Sequence, residues 1–541
     1  MLQIKARYDL PGRSMEAVDC RSSDASLMLA PHSYRLSGIS MAGISAFGGY
    51  VPRLRLARQA IAAAHAWSDP AIKGRGKGER SFCNWDEDAV TMGVEAARDC
   101  LGEGQEGQPA ALPEAIYFAS TSFPFAERQN AGILATALGL EGDRLSMDVT
   151  GSQRAGTTAL MQALAAVSGG MVADALVVAA DKRRAKASSA GEFAYGDGAA
   201  AVRVSADDGL LAFRGGHTVT VDFIDHFRAE GQTFEYTWEE RWIRDEGLAK
   251  IVPPAIARAL EKAGVEASDV AHFCMPSTIG RAVAGIAKAA GIADGAVRDN
   301  LHAVLGECGC AHALVMLLHA LEGEVKPGEI VVVAAFGQGC DVLVFEATAA
   351  CSEARAAGGL GIRGALAAGR STENYQQYLA FNDLIVLDKG MRAERDDYKT
   401  ALTVTYRKRD MLLGLVGGRC TRCGTLQFPR TDVCVNPQCR AHHSQEPYAF
   451  RDEPAQVLTW SADYLTYIPN PPSHYGMIAF DNGGRFMTDF TDVDVGELEV
   501  GTRVRMMFRI KSVDSLRGFV RYFWKAVPVR AAAAANAVAT G

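Results

Sequence analysis

The sequence predicts an internally duplicated α/β fold followed by a smaller β domain. Between residues 41 and 350, apolar strand-like runs alternate with Gly-rich turns and Ala-rich helices, and the whole pattern occurs twice. After about residue 405, short runs of alternating apolar and polar residues replace it. Helices that connect successive strands favour mostly parallel sheets. The length of 541 residues suits several such units.

The duplication depends on four pairs of similar segments that occur in the same order. They are AIYFASTS (115–122) and AHFCMPST (271–278), AGTTALMQALAAV and CAHALVMLLHALE, ADALVVAAD and GEIVVVAAF, and YGDGAAAV (195–202) and FGQGCDVL (336–343). Chance similarity between Ala-rich segments does not account for a shared order. We therefore predict two related halves, residues 41–205 and residues 206–350.

The regions outside these halves differ from them in composition. The N-terminal region lacks periodicity, and the C-terminal region contains RVRMMFRI, GFVRYFWKAV and a DNGGR hairpin turn, which are typical of a small β-barrel. We divide the remaining chain into an irregular N-terminal extension (1–40), a linker with a helical stretch around 374–387 (351–405), a zinc ribbon (406–445), the barrel (446–528) and a flexible tail (529–541).

Composition and charge argue against several classes of protein. A formal net charge of -7 does not provide a chain-wide basic surface, so we expect no nucleic-acid partner. The longest apolar runs, such as Ile330–Phe336, have the length of buried strands and fall short of the roughly 18 residues of a membrane span. The N-terminus lacks the apolar core of a signal peptide. We therefore expect a cytoplasmic protein with no membrane partner.

Four cysteines have the spacing of a metal site. Cys420, Cys423, Cys434 and Cys439 form a C-x2-C-x10-C-x4-C pattern, in which two knuckles close a tetrahedral set of thiolates. A site with four protein ligands has no open coordination position, which is typical of structural rather than catalytic zinc. The sequence therefore predicts one structural Zn²⁺.

Several segments resemble a known family. GISAFGGYVPRLRL, NWDEDAVTMGVEAARDCL, DVTGSQRAGTTAL and YGDGAAAV are similar to segments of the hydroxymethylglutaryl-CoA synthases, especially the archaeal-type branch, in the thiolase superfamily. The C-terminal part, with its four-cysteine ribbon and barrel, resembles the zinc-ribbon/OB-fold proteins that accompany thiolase-like enzymes. The resemblance implies a five-layer α-β-α-β-α thiolase fold, a homodimer, and an acyl-CoA substrate.

The resemblance also implies where the catalytic residues lie, and this chain departs from the family at three of them. The nucleophilic cysteine falls on Gln153, the histidine falls on Cys274 and the asparagine falls on Glu307. An amide cannot be acylated usefully, so the acyl-cysteine intermediate is not available at position 153. The glutamate of the ED pair is kept as Glu87, which is a candidate general acid/base or a helix-start carboxylate.

Two further thiols and an imidazole lie near the second of two expected helix starts. Those helices are expected to begin near 151–154 and near 307–312, and their dipoles would stabilise an oxyanion or a thiolate. Cys274, Cys308 and Cys310 are candidate nucleophiles or small core residues, and the helix start would favour a thiolate at Cys308 and Cys310. His312 is a candidate replacement for the missing histidine or a core residue.

The candidate CoA-binding residues are basic. Lys182, Arg183, Arg184 and Arg228 are candidates for the phosphates of CoA, and a solvated charge run explains them equally well. The glycine-rich YGDG and FGQG segments lack the Walker spacing, and no G-x-G-x-x-G follows a first strand. We expect neither NAD nor ATP as a cofactor.

A thiolase-like pocket without its cysteine can still stabilise an enolate. We predict an acyl-CoA C–C bond hydrolase or lyase. It would cleave a 3-oxoacyl-CoA by hydrolytic retro-Claisen chemistry, giving acetyl-CoA and a carboxylic acid, or a 3-hydroxyacyl-CoA by retro-aldol chemistry. The alternatives are a synthase or thiolase-type acyltransferase that uses a displaced cysteine, and a non-catalytic acyl-CoA-binding scaffold.

Overall fold

The computed structural model describes residues 42–102, 112–207, 209–357, 359–393 and 399–530. The predicted N-terminal extension and most of the predicted tail lie outside the described residues. In the described ranges, no helix is both long enough and apolar enough to cross a membrane.

The first half alternates strands and helices. Its elements are β1 (Gly43–Tyr50), β2 (Leu54–Ala57), α1 (Arg58–His65), β3 (Glu79–Phe82), α2 (Ala89–Leu101), β4 (Ala115–Ala119), α3 (Asn130–Leu138), β5 (Leu145–Val149), α4 (Ala155–Ser168), β6 (Asp174–Asp181), α5 (Ala190–Ala194) and β7 (Gly198–Ser205).

The second half repeats this arrangement with an added β-hairpin. Its elements are β8 (Leu211–Thr220), β9 (His226–Phe227), β10 (Tyr236–Thr237), α6 (Glu240–Trp242), α7 (Ala249–Ala263), β11 (Val270–Cys274), α8 (Ala282–Ala289), α9 (His312–Leu321), β12 (Ile330–Phe336) and β13 (Gly339–Ala347).

The order of the strands shows the duplication directly. The main sheet runs β11-β12-β13-β8-β1-β7-β6-β4-β5, so β8, β13, β12 and β11 pair as β1, β7, β6 and β4 do. A short pairing of β1 with β8 at Gly43 and Ile44 joins the two halves. The same sequence of parallel and antiparallel pairings occurs in both halves.

The helices form three layers around the two halves of the sheet. Helices α4 and α9 lie in the middle and pack against strands of both halves. Helices α2 and α3 cover the outer face of the first half, and α7 and α8 cover that of the second. Along β12, Val331 and Val333 face the middle layer, whereas Val332 faces α7 and α8. The five-layer fold that the resemblance implied is therefore confirmed.

The sheets are mixed, so the prediction of mostly parallel sheets is wrong. Strands β4, β5 and β6 are parallel, but β7 and β1 add to them antiparallel. In the second half, only Gly337 and Gln338 separate β12 from β13. A two-residue connection forces an antiparallel hairpin, because a parallel pair requires a long crossover. The FGQG segment is this hairpin turn.

The connector and the ribbon follow the second half. The connector contains α10 (Gly361–Ala367), β14 (Arg370–Thr372), α11 (Tyr375–Phe381), α12 (Leu402–Arg407) and α13 (Arg409–Leu412), and the ribbon contains β15 (Val416–Cys420), β16 (Leu426–Gln427) and β17 (Gln445–Ala449). Strand β14 extends a small sheet with β2 and β3, so the connector packs against the first half.

The C-terminal β domain is one five-stranded antiparallel sheet. Its strands are β18 (Ala455–Asp463), β19 (Ser473–Phe480), β20 (Arg485–Asp489), β21 (Arg503–Asp514) and β22 (Phe519–Pro528). Its apolar side chains share a core with α2 and α3, and Trp524 is fully buried there. The barrel is thus packed tightly onto the first half of the α/β body.

Candidate functional site

The two central helices begin against each other. Helix α4 starts at Ala155, and α9 starts at His312 after a 3₁₀ turn at Gly309–Ala311. A Cβ atom added to Gly156 would lie 2.3 Å from the carbonyl oxygen of Cys310. Only glycine permits this approach. The sequence therefore brings the two expected helix starts to one junction, which is where the candidate site lies.

Asp181 holds the loops around this junction. Its carboxylate accepts hydrogen bonds from Ser120 Oγ at 2.9 Å, Thr121 N at 2.7 Å and Cys310 N at 2.8 Å. Gly309 has a φ of +60°, and a Cβ atom there would lie 2.2 Å from Asp181 Oδ2. A buried carboxylate with this many donors is well compensated for its desolvation. Asp181 thus fixes the strand ends of the first half against the start of α9.

Gln153 lies beside a carboxylate at the start of α4. Its Nε2 atom donates to Glu235 Oε1 at 3.4 Å, and its Oε1 atom is buried without a hydrogen-bond partner in the described part of the chain. An unpaired buried amide oxygen costs free energy unless a ligand or water satisfies it. The Gln153 amide oxygen is therefore an unsatisfied acceptor beside the start of α4.

An arginine links Glu235 to the second helix start. The Arg183 guanidinium forms ion pairs with Glu235 and Glu307, and it lies 3.6 Å from the centre of the Tyr195 ring. The Tyr195 hydroxyl donates to Glu235 Oε2 at 3.0 Å. Burial alone would raise the pKa of Glu235, but the Arg183 charge outweighs it and the pKa lies below its ordinary value. Glu235 is thus held as a carboxylate. We call Gln153, Glu235, Arg183, Glu307 and Tyr195 the central cluster.

The candidate thiols lack the environment of a nucleophile. Cys274, Cys308 and Cys310 are fully buried. Burial raises the pKa of all three, to about 12 for Cys274. The expected effect of the helix dipole at Cys308 and Cys310 is outweighed, because an apolar environment disfavours the thiolate. Cys274 lies at the end of β11 in the core between the halves.

His312 is bonded to the backbone through both ring nitrogens. Its Nδ1 atom accepts from Cys308 N at 3.0 Å, and its Nε2 atom donates to the carbonyl oxygen of Asn300 at 2.7 Å. Burial lowers the pKa of the ring to about 4. A neutral imidazole with both nitrogens occupied fits the core alternative, in which His312 fixes the loop before α9.

Glu87 lies under the barrel. Its carboxylate accepts from the Tyr50 hydroxyl and from Asn84 N, at 2.7 Å for the latter, and it lies 3.1 Å from Arg509 of β21. Burial raises the pKa of Glu87 to about 7, although the Arg509 charge acts in the opposite direction. Asp492 adds a second carboxylate to Arg509 at 3.0 Å. Glu87 thus contacts Tyr50 and Asn84 of the α/β body and Arg509 of the barrel, and these residues lie outside the central cluster.

The basic candidates for CoA have different surroundings. Arg183 differs from the expectation, because its buried charge is neutralised by two carboxylates and does not face the solvent. Lys182 Nζ donates to the carbonyl oxygen of Glu87 at 3.2 Å. Arg184 is partly exposed and lies 3.2 Å from Asp383, and Arg228 donates to the carbonyl oxygen of Thr121. The last two remain at the surface.

Sequence reasoning missed Glu235 and Tyr195. Glu235 lies in QTFEYTW, just before β10, where nothing in the residue pattern marks a functional position. Tyr195 is the first residue of YGDG, and the glycines of this segment indicate a turn but give no sign of a role for the tyrosine ring. The hairpin inserted in the second half carries Glu235 to the central cluster. This placement depends on long-range packing and has no local signal.

The four ribbon cysteines are arranged to bind a metal ion. Their Sγ atoms all lie within 4.8 Å of one another. Cys420 Sγ is 3.8 Å from Cys439 Sγ, and Cys423 Sγ is 3.6 Å from Cys434 Sγ. Ligands about 2.3 Å from a tetrahedral Zn²⁺ are themselves about 3.8 Å apart. The donor set therefore fits zinc.

Comparison with known protein families agrees with this architecture. The model of the 3-oxoacyl-[acyl-carrier-protein (ACP)] synthase III C-terminal domain matches residues 260–344. The ChsH2 rubredoxin-like zinc ribbon matches residues 413–443, and the ChsH2 C-terminal OB-fold domain matches residues 454–509. The suspected fusion of a thiolase-like body with a zinc ribbon and an OB-fold is confirmed.

Individual proteins extend the similarity to more than half of the chain. A hydroxymethylglutaryl-CoA synthase from Aeropyrum pernix is 30% identical over 302 residues, which cover 56% of this chain and 82% of the relative. The corresponding protein of Methanocella arvoryzae is 29% identical over 309 residues, which cover 57% of this chain and 87% of the relative.

Solved structures share the fold. A hydroxymethylglutaryl-CoA synthase complexed with CoA has a TM-score of 0.54 at 17% identity, covering 66% of this chain and 95% of its own. The 3-oxoacyl-(acyl carrier protein) synthase III of Pseudomonas aeruginosa PAO1 has a TM-score of 0.51 at 22% identity, covering 57% of this chain and 98% of its own.

Proposed function

The chain belongs to the hydroxymethylglutaryl-CoA synthase family of the thiolase superfamily, and from that premise we propose that it cleaves a carbon–carbon bond of an acyl-CoA thioester without an acyl-cysteine intermediate. One observation carries the proposal: Gln153, whose amide cannot be acylated, lies just before α4, and the three candidate thiols are buried with raised pKa values. The relatives are named hydroxymethylglutaryl-CoA synthases, so we infer that this chain also acts on a CoA thioester. Because of Gln153, we infer that it does so without a covalent acyl-enzyme.

The central cluster supplies the groups that cleavage requires. With a 3-hydroxyacyl-CoA, the Glu235 carboxylate takes the hydroxyl proton, the C3–O bond becomes a carbonyl, and the C2–C3 bond breaks with its electron pair passing to the thioester enolate. A proton returned to C2 then gives the shortened acyl-CoA and an aldehyde or ketone. Gln153 Nε2 is the proposed donor for the enolate oxygen.

The same groups serve a 3-oxoacyl-CoA. Glu235 takes a proton from water, the water oxygen adds to C3, and the C2–C3 bond breaks with its electron pair passing to the enolate. Protonation at C2 gives acetyl-CoA, and the fragment containing C3 leaves as a carboxylic acid. Both routes place negative charge on the thioester oxygen, so both need a hydrogen-bond donor such as Gln153 Nε2.

The substrate class and the metal are part of the proposal. The relative whose crystal structure contains CoA has the same fold over two thirds of this chain, which supports a CoA thioester as the substrate. The geometry of Cys420, Cys423, Cys434 and Cys439 supports one zinc ion that stabilises the ribbon and takes no part in the reaction.

The test is incubation of the full-length protein with a panel of 3-oxoacyl-CoA and 3-hydroxyacyl-CoA thioesters. Acetyl-CoA, carboxylic acid, aldehyde and free CoA are followed with and without added CoA. Acid from a 3-oxo substrate without added CoA indicates hydrolysis, and an aldehyde or ketone from a 3-hydroxy substrate indicates retro-aldol cleavage. A covalent acyl-enzyme detected by intact mass spectrometry would contradict the proposal.

Two other functions predict different results in the same assay. An acyltransferase with a displaced cysteine would need added CoA or an acceptor thioester, and Cys308→Ala or Cys310→Ala would abolish its turnover. A non-catalytic scaffold would bind acyl-CoA without releasing any product. The buried thiols disfavour the first, and the Glu235 carboxylate beside Gln153 provides a base, which turnover requires and a scaffold does not.

A further inference from the structure

Three charged side chains meet in a buried part of the central cluster. Nη1 of Arg183 donates to Glu307 Oε2, and Nη2 of the same guanidinium donates to Glu235 Oε2. The exposed fractions of the side chains are 6% for Arg183, 14% for Glu235 and 9% for Glu307. One cation therefore meets two carboxylates in surroundings where water screens their charges only weakly.

The two carboxylates divide the guanidinium between them. A guanidinium can present two parallel N–H groups to one carboxylate, and such a bidentate pair is stronger than a single contact. Here each terminal nitrogen has a different partner, so Glu235 meets Arg183 through Nη2 alone. Glu307 thus occupies one of the nitrogens that a bidentate pair of Arg183 with Glu235 through both terminal nitrogens would need.

The backbone fixes Glu307 in this place. Its N–H donates to the carbonyl oxygen of Ala194 at 2.8 Å, and its carbonyl oxygen accepts from Gly196 N at 2.9 Å. A Cβ atom added to Gly196 would lie 2.0 Å from the carbonyl oxygen of Leu305, so only glycine permits the two segments to lie this close. Glu307 is therefore held against the segment that contains Tyr195.

Most of the polar groups around Glu235 stabilise its carboxylate. They are the Arg183 guanidinium, the ring of His226, the Tyr195 hydroxyl at 3.0 Å and the Gln153 amide at 3.4 Å. His226 is itself hydrogen-bonded to Asp225, at 2.9 Å. Burial raises the pKa of Glu235, but the Arg183 charge and these neighbours hold it below its ordinary value, which makes the carboxylate a weaker base. The negative charge of Glu307 acts against them.

We propose that Glu307 is a positioning residue for the Glu235 base: by holding one nitrogen of Arg183, it limits the stabilisation of the Glu235 carboxylate and keeps it basic enough to take the substrate proton. The inference rests on the proposed cleavage, in which Glu235 takes a proton from a hydroxyl group or from water. A general base is most effective when its pKa is not far below the working pH. An amide at position 307 could accept from Arg183 but would contribute no charge.

The first test compares Glu307→Gln with the wild type in the cleavage assay. The amide keeps the size of the side chain and removes its charge, so Glu235 becomes a weaker base. We expect kcat at neutral pH to fall about threefold to tenfold, with KM nearly unchanged. Glu307→Asp retains the charge and should keep more activity. Glu261→Gln, which removes a carboxylate from Arg258 on the exposed face of α7, is the matched control and should have no effect. Equal kcat in Glu307→Gln and the wild type would overturn the proposal.

The second test measures the titration of Glu235 itself and needs no turnover. NMR on protein whose glutamates carry ¹³C at the side-chain carboxyl follows the Glu235 signal, which is identified by its loss in Glu235→Gln. Arg183→Gln leaves the buried carboxylate without its cation, so the midpoint of Glu235 should rise above its ordinary value. Adding Glu307→Gln removes a like charge and should lower the midpoint again by about one pH unit. Equal midpoints in Arg183→Gln and in the double variant would overturn the proposal.

The two tests separate the inference from the proposed cleavage. If the wild type cleaves none of the thioesters but the midpoints differ as expected, the influence of Glu307 on Glu235 is established and only the proposed function fails. If the wild type cleaves a thioester and the midpoints are equal, only the inference fails. Should Arg183→Gln not fold, Arg183→Lys with and without Glu307→Gln gives the same comparison, and the added substitution should again lower the midpoint.

Discussion

The guanidinium of Arg509, in the barrel, lies 3.1 Å from the carboxylate of Glu87, at the entry to α2. Both side chains are almost completely buried. The same guanidinium donates to the Tyr50 hydroxyl and to Asp492, each at 3.0 Å. The barrel is thus joined to the α/β body by buried charges as well as by an apolar core. If the barrel were a separate chain, Glu87 and Arg509 would be exposed to water until the barrel bound the α/β body.

The Arg509 contacts predict a large loss of stability when the arginine is removed. Arg509→Met leaves Glu87 and Asp492 buried without their cation, which costs about 3–5 kcal/mol of the free energy of unfolding. Glu87→Gln combined with Arg509→Met should cost less than the sum of the two single changes. Urea unfolding of the four proteins measures the coupling. Additive losses would show that the two side chains do not interact.

A second prediction concerns pH. Glu87 has a pKa of about 7 in the folded protein against an ordinary value of 4.5, so the folded state binds more protons between these values. The free energy of unfolding therefore falls as the pH rises through that window, by about 3 kcal/mol from this group. Glu87→Gln should flatten the curve there, and Glu240→Gln, at an exposed carboxylate, should not. Parallel curves for the wild type and Glu87→Gln would contradict the raised pKa.

A third prediction concerns zinc. Cys434→Ser removes one of four ligands, so metal analysis should show a loss from one zinc per chain to a substoichiometric amount. The ring centres of Phe428 in the ribbon and Phe486 in the barrel are 4.8 Å apart, so the two domains pack against each other. Loss of the metal should therefore also lower the melting temperature of the barrel. Cys351→Ser, outside the ribbon, should retain full zinc. Full occupancy in Cys434→Ser would exclude the four-cysteine site.

The packing at the helix junction gives a fourth prediction. Gly156→Ala places a Cβ atom 2.3 Å from the Cys310 carbonyl oxygen, so α4 and α9 must move apart. We expect a loss of about 1–3 kcal/mol from this overpacking. Gly132→Ala, in α3, meets only the end of a side chain at 3.4 Å and should be neutral or stabilising. Urea unfolding compares the two. If both variants were equally stable, α4 and α9 would not be tightly packed at Gly156 and Cys310.

Features with a local or repeated signal could be predicted from the sequence. The helix starts near Gln153 and near His312 and the cysteine ribbon each depend on residues close together in the chain, and the duplication depends on similar segments that recur in the same order. The partners of the candidate residues could not be predicted. Arg183 meets Glu235 only because the β9–β10 hairpin folds back over the junction, and Glu87 meets Arg509 only after the barrel has docked. Local spacing contains no information on either contact.

The last prediction concerns Glu235 and Gln153, which are hydrogen-bonded to each other in the central cluster. Glu235→Gln removes the proposed base but keeps the size of the side chain, so kcat for C–C cleavage should fall about a hundredfold or more while KM changes little. Gln153→Ala removes a donor to the enolate and should likewise lower kcat. Glu230→Gln, an exposed carboxylate in the same segment, is the matched control and should retain activity. Because an amide does not titrate, we expect the activity of Glu235→Gln not to rise with pH. Full activity in Glu235→Gln would remove this carboxylate from the proposed mechanism and leave the base to be sought among the other acidic residues of the junction.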